Sequence, residues 1–252
     1  MPRQWILLRG LTRESAHWGG FVARLQQALP GDRVLALDLP GNGQFHTLPS
    51  PLSVQAMVQA CRHELALRAI APPYHLLAMS LGAMVATEWA HAAPDEVAGC
   101  VLINTSMRPF SPFYRRLRPH NLAALAQLVW QWRAAEAAER IIARMTSFRA
   151  QACSPVVAHW AALRRQRPVS WRNALRQLVA AARYSAPAVA PSARTLLLGS
   201  CHDRLVASQC SQVVASAWGS PLRMHPIAGH DLPLDDPQWV VNEIRQWVQS
   251  SA

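Results

Sequence analysis

Short continuous apolar runs recur along the chain, each closing on a small or turn-forming residue. Trp5–Arg9 ends at Gly10, Arg33–Leu39 at Pro40-Gly41, and His75–Met79 at Ser80. Gly99–Thr105 ends at Ser106, Thr195–Gly199 at Ser200, and Leu222–Ile227 at Ala228-Gly229. Runs this short, bounded by turn signals, read as buried strands. Helix-length stretches lie between them, at about 17–29, 53–69, 81–92, 207–217 and 237–249. Continuous apolar strands alternating with helices define an α/β chain whose parallel sheet is covered on both faces. Right-handed crossovers make it doubly wound.

The alternation breaks between about 107 and 190. Pro109, Pro112 and Pro119 open this segment and Pro187 and Pro191 close it. Helix-like stretches fall near 120–146, 153–165 and 170–184, with no strand of comparable quality among them. The expected division is a core of residues 1–106 and 191–252 with a helical cap (lid) insert at 107–190, ahead of the last two strands. An insert there lies over the carboxyl edge of the strands, where open α/β sheets bind ligands.

Composition sets limits on this reading. With 252 residues, 51% of them hydrophobic, the chain can bury one good core and a small lobe. No apolar run reaches the roughly 18–20 residues of a membrane span, and the N-terminus lacks a signal-peptide pattern. The five cysteines (Cys61, Cys100, Cys153, Cys201, Cys210) are odd in number and match no zinc spacing. They read as free thiols of a protein in the reducing cytoplasm. Gly41-Asn42-Gly43 lacks the third glycine of a dinucleotide fingerprint and reads as a turn near the active-site mouth. Neither a metal nor an organic cofactor is expected.

Ala78-Met79-Ser80-Leu81-Gly82 falls where a strand passes into a helix. A nucleophile elbow occupies such a junction, with small residues two before and two after the serine because strand and helix approach closely. A serine there is also a common helix N-cap. A nucleophilic hydroxyl needs a base, and the base an acid. In the order Ser…Asp…His, Asp203 and His230 lie just past the last two expected strands, at the edge that carries Ser80. Singly, a loop His or Asp is more often a surface or turn residue. Three such residues in order at matching strand ends point to a Ser80–Asp203–His230 triad. His202 and Asp231 are second choices, since either needs a shifted register. The backbone amides of Leu11 and Leu81 are the candidate oxyanion donors, with Gly10 making the tight turn.

Together, Leu7-Leu8-Arg9-Gly10, Asp38–Gly43, Met79-Ser80-Leu81-Gly82, Gly199–Asp203 and Gly229-His230 resemble the α/β-hydrolase family. The likeness is to its small capped serine esterases, of the kind that includes pimeloyl-carrier methyl ester esterases. The resemblance implies acyl-enzyme cleavage of a carboxylic ester. The family usually has His where this chain has Arg9, Gly where it has Ala78, and a strand pair before the first strand. A sheet of about six strands, all parallel, follows for this chain. Ser80 argues against dehalogenases and epoxide hydrolases, which place Asp at the elbow. Two rivals remain: an acyl thioesterase with the same triad, and a non-catalytic ligand-binding protein of this fold.

The charge pattern bears on partners. All 25 basic residues are Arg, and 15 of them lie in residues 107–194 with only Glu136 and Glu139 to oppose them. One reading is a solvated Arg face over an aromatic core. The other is a surface for an acidic acyl-carrier protein or a CoA-type group, with Arg115, Arg116, Arg118, Arg164, Arg165 and Arg167 as contacts. The substrate expected is a small-molecule ester or a carrier-linked acyl group. Nucleic acid is not an expected partner, because no recognised binding module is present.

Overall fold

The computed structural model describes residues 2–149 and 154–250. In chain order, β1 (Gln4–Leu8) leads through α1 (Phe21–Ala28) to β2 (Arg33–Leu37). Next come α2 (Val54–Leu67), β3 (Tyr74–Met79), α3 (Leu81–Ala92) and β4 (Val97–Ile103). Among the described residues, five α-helices then precede β5 (Arg194–Ser200): α4 (Phe113–Arg116), α5 (Leu122–Trp130), α6 (Ala135–Thr146), α7 (Ser154–Gln166) and α8 (Trp171–Arg183). The chain finishes with α9 (Gln209–Trp218), β6 (Leu222–His225), α10 (Leu232–Asp235) and α11 (Pro237–Gln249).

The sheet order is β2-β1-β3-β4-β5-β6 and every pair is parallel, as the apolar runs require. Side chains alternate between the two faces of each strand. Ile6, Leu8, Leu76 and Ala78 pack into one layer with residues of α2 and α3. Trp5, Leu7, Leu77 and Met79 pack into the other with residues of α1 and α11. Register places Leu8 opposite both Leu37 and Ala78, and Met79 opposite Ile103. All strands point the same way, so the loops holding Gly10, Ser80, Asn104, Asp203 and His230 emerge at one edge.

The segment between β4 and β5 leaves and returns at one neck, where Arg108 and Ser185 form a parallel bridge and the Ala186 amide donates to the Arg108 carbonyl at 2.7 Å. Two elements differ from expectation. The stretch expected to be one helix over 120–146 is broken between Trp130 and Ala135. Tertiary contacts hold the break: the Trp132 indole donates to the Val169 carbonyl and Arg164 lies 4.3 Å over its ring. The last strand stops at His225 rather than Ile227. Pro226 has no amide to donate, and His225 Nδ1 draws in the amides of Ile227 and Ala228. Residues 150–153, where Cys153 and the expected start of a helix fall, lie outside the described residues.

Candidate active site

Four non-glycine residues among those described have positive φ: Thr12, Ala69, Ser80 and Asn104. Three of them follow the neighbouring strands β1, β3 and β4. Such strained backbone persists only where the surroundings enforce it, and it gathers at functional sites. Ser80 is the sharpest case, at φ 55° and ψ −117° at the head of α3. Its amide donates to the Ile103 carbonyl at 3.0 Å, tying the turn to β4. Its side chain makes no capping hydrogen bond to the helix, so the N-cap explanation of this serine loses its support.

The elbow needs small neighbours for a measurable reason. A Cβ on Gly82 would lie 2.5 Å from the Leu8 carbonyl oxygen and 2.7 Å from that of Arg9, both backbone atoms with no freedom to yield. A Cβ on Gly10 would approach the Ser80 Cβ to 3.1 Å. The turn after β1 therefore lies directly against Ser80. Ala78 is fully buried within β3, and its methyl group is accommodated there.

Asp203 and His230 meet: His230 Nδ1 lies 2.6 Å from Asp203 Oδ2, with both side chains buried. The other oxygen, Oδ1, accepts the amides of Leu205 and Val206 at 2.8 and 2.9 Å. An acid so placed fixes the ring orientation and the tautomer of its histidine. Ser80 is partly buried, whereas Asp203 and His230 are buried. The alternatives are placed elsewhere. His202 is exposed, and Asp231 is paired with Arg9.

Asn104 carries a role its sequence position did not announce. Its Nδ2 lies 2.8 Å from the His230 carbonyl and 2.9 Å from Ser200 Oγ, and its Oδ1 accepts the Ser200 amide. It thus joins the ends of β4 and β5 to the histidine loop. The available signal was an Asn at a strand end, a residue that tolerates left-handed backbone and bonds locally.

The turn after β1 is anchored residue by residue. The Arg13 amide closes it onto the Gly10 carbonyl. The Thr12 amide donates to Gln177 Oε1 of α8, whose Nε2 reaches Asn42 Oδ1 and Ser50 Oγ. Arg13 meets Glu139 of α6, and Glu14 takes two hydrogen bonds from Arg167. Leu11 and Leu81 frame this turn and the elbow, with Leu81 buried and Leu11 partly so. His17, which contacts Arg13 and the Trp160 ring, is held well below the usual histidine range by burial and by the guanidinium groups of Arg13 and Arg9.

The six arginines expected to meet a partner divide sharply. Arg116 donates to the Ala181 carbonyl, Arg118 to the Asp203 carbonyl, Arg164 to Glu139 and the Trp132 carbonyl, and Arg167 to Glu14. Arg115 and Arg165 are exposed. A shallow recess of about 570 Å³ beside Arg165 is lined by residues of α6 and its approach, including Gln131, Glu136, Arg140 and Arg144, away from the strand ends. No cluster able to hold a metal ion occurs among the described residues, and no helix there is long and apolar enough to cross a membrane.

Residues 5–243 match the alpha/beta hydrolase family. The chain belongs to this family. Among curated relatives, it is 36% identical over 98 residues to a pimeloyl-[acyl-carrier protein] methyl ester esterase of Methylococcus capsulatus, covering 39% of this chain and 35% of that protein. It is 28% identical over 254 residues to the biotin biosynthesis bifunctional protein BioHC of Cellvibrio japonicus, covering 98% of this chain and 48% of that one. The chain therefore spans only about a third to a half of the length of these relatives. A Thermogutta terrifontis esterase superposes with a TM-score of 0.74 at 21% identity, over 99% of this chain and 90% of that one. An enol-lactonase from Burkholderia xenovorans gives 0.77 at 16% identity, over 99% and 92%. These two likenesses establish the fold.

Proposed function

We propose that the chain is a serine-dependent carboxylic ester hydrolase whose nucleophile is Ser80. The observation that supports this reading is a strained Ser80 turn at the end of β3 together with a buried Asp203–His230 pair on loops that follow β5 and β6 at the same sheet edge. In the first step His230 Nε2, the ring nitrogen left free by the contact to Asp203, takes the Ser80 proton as Oγ attacks the ester carbonyl. The Leu81 and Leu11 amides hold the oxygen that becomes negative. Asp203 stabilises the imidazolium without taking its proton. The imidazolium then protonates the leaving alcohol. In the second step His230 activates a water that releases the acid and frees Ser80.

Residues 107–190 serve in this reading as a cap over the strand ends, with Arg118 holding the Asp203 loop and Gln177 holding the turn after β1. The substrate is a carboxylic ester, small or linked to an acyl-carrier protein, in line with the name of the pimeloyl-[acyl-carrier protein] methyl ester esterase relatives. A fluorophosphonate probe should label Ser80, and Ser80→Ala should abolish labelling and lower kcat by about 10⁶-fold. Unlabelled wild-type protein with an intact fold would reject the reading.

Of the six arginines expected to meet a partner, Arg115 and Arg165 are the exposed ones, and they are the candidates to meet an acidic carrier. Charge reversal at both (Arg115→Glu, Arg165→Glu) should raise KM for a carrier-linked ester by roughly tenfold, on the order of one charge-assisted contact. KM for a small neutral ester should stay the same. Equal effects on both esters would remove the carrier from the proposal.

A further inference from the structure

Two buried charges lie between the groups assigned to the reaction. Arg9 follows β1 and directly precedes Gly10 of the oxyanion turn, while Asp231 directly follows His230. The side chains are 3% exposed each, and Arg9 Nη1 and Nη2 meet Asp231 Oδ1 and Oδ2 at 3.0 and 2.5 Å. The guanidinium also lies 4.9 Å over the Trp18 ring. On the other side, the Asp231 amide donates to the Thr146 carbonyl at the end of α6, and the His230 carbonyl is held by Asn104.

A buried ion pair is a poor device for stability, because desolvating both charges offsets most of their attraction. What a two-pronged Arg–carboxylate contact does supply is geometry, since it sets both the distance and the relative plane of the groups it joins. Here it joins one loop carrying the oxyanion donors to another carrying the base. Those two loops are 222 residues apart in sequence and must present their groups to a single transition state, where displacement of about 1 Å is costly.

We propose that the Arg9–Asp231 pair is a positioning device that locks the turn at residues 10–12 to the His230 loop, keeping oxyanion donors and base in register. This rests on the serine-hydrolase reading above. Neither side chain touches the reacting atoms in this scheme.

The test removes both charges together. In Arg9→Met/Asp231→Leu no uncompensated buried charge remains, so the fold should persist. With the fold kept, kcat on a small ester should fall about 10- to 100-fold while KM stays the same. The rate of fluorophosphonate labelling at Ser80 should fall in step, because that reaction also develops a charged oxygen. Arg9→Lys, the milder variant, keeps the charge but not the paired donors, and should lose part of kcat at an unchanged Tm. Wild-type kcat in either folded variant would overturn the proposal. So would a loss that vanishes well below the variant's own Tm, which would leave a purely structural pair. Wild-type protein that does not label at Ser80 would instead overturn the hydrolase reading, and this inference with it, whatever the Arg9 variants do.

Discussion

Asp203→Asn should lower kcat about 10⁴-fold while leaving the protein folded. The reason lies in what each oxygen of Asp203 does. Oδ1 accepts the Leu205 and Val206 amides, a task the Asn oxygen can keep, so the loop should hold. Oδ2 faces His230 Nδ1 at 2.6 Å, and there the Asn NH2 would present donors instead of an acceptor. A donor at Nδ1 leaves the ring proton on Nε2, the nitrogen that accepts the Ser80 proton in the proposed mechanism. The base is then present in the wrong tautomer. Steady-state kinetics on a small ester, with a melting curve as control, decides the matter. Activity within about tenfold of wild type would show that another acid orients the histidine. Asp231 is the nearest alternative in sequence, and its carboxylate is already taken by Arg9.

Much of this arrangement was legible in the chain because strand ends and turns carry local signals. The apolar runs announced β1 to β6, and parallel pairing then placed the segments after β1, β3, β5 and β6 at one edge. Ser80 could be placed because Gly82 and Ala78 flank it, and the small residue at 82 answers to backbone oxygens of Leu8 and Arg9. What stayed hidden were contacts between segments distant in sequence. Asn104 looked like a strand-end polar residue, and only the fold shows it bonded to the His230 carbonyl. Arg9 looked like a departure from the family pattern, and only the fold supplies Asp231 as its partner. The same holds for the break before Ala135, which depends on Val169 and Arg164 rather than on any residue within the helix. Net charge pointed to an Arg-rich segment without saying which arginines face outward: Arg115 and Arg165 are exposed, whereas Arg116, Arg118, Arg164 and Arg167 bond to groups of the protein itself.

The two acids of that segment therefore have opposite expected weights, although they sit three residues apart on one helix. Glu136 pairs with Arg140 in the open, with side-chain exposures of 57% and 62%. An exposed pair of this kind contributes about 0.3–0.5 kcal/mol, so Glu136→Gln should leave Tm nearly unchanged. Glu139 is buried between two guanidinium groups, Arg13 at 2.5 Å and Arg164 at 3.0 Å. Those arginines in turn lie 4.3 Å over Trp160 and Trp132, so neither can swing out to water without dismantling the aromatic packing. Glu139→Ala would leave two like charges buried side by side. Breaking a buried pair in this way costs about 3–5 kcal/mol, and for a chain of this length Tm should fall by roughly 6–20 °C. Calorimetry on both variants gives the comparison. A Glu139→Ala protein that melts with the wild type would mean that Arg13 and Arg164 find water or another acceptor. The same variant should lose the proposed esterase activity at temperatures where the protein is still folded, because Glu139 anchors the Arg13 side chain and the backbone amide of that same residue, Arg13, closes the turn that begins at Gly10. The charge network inside the helical segment and the placement of the proposed oxyanion donors are then expected to be parts of one construction, joined at the turn after β1.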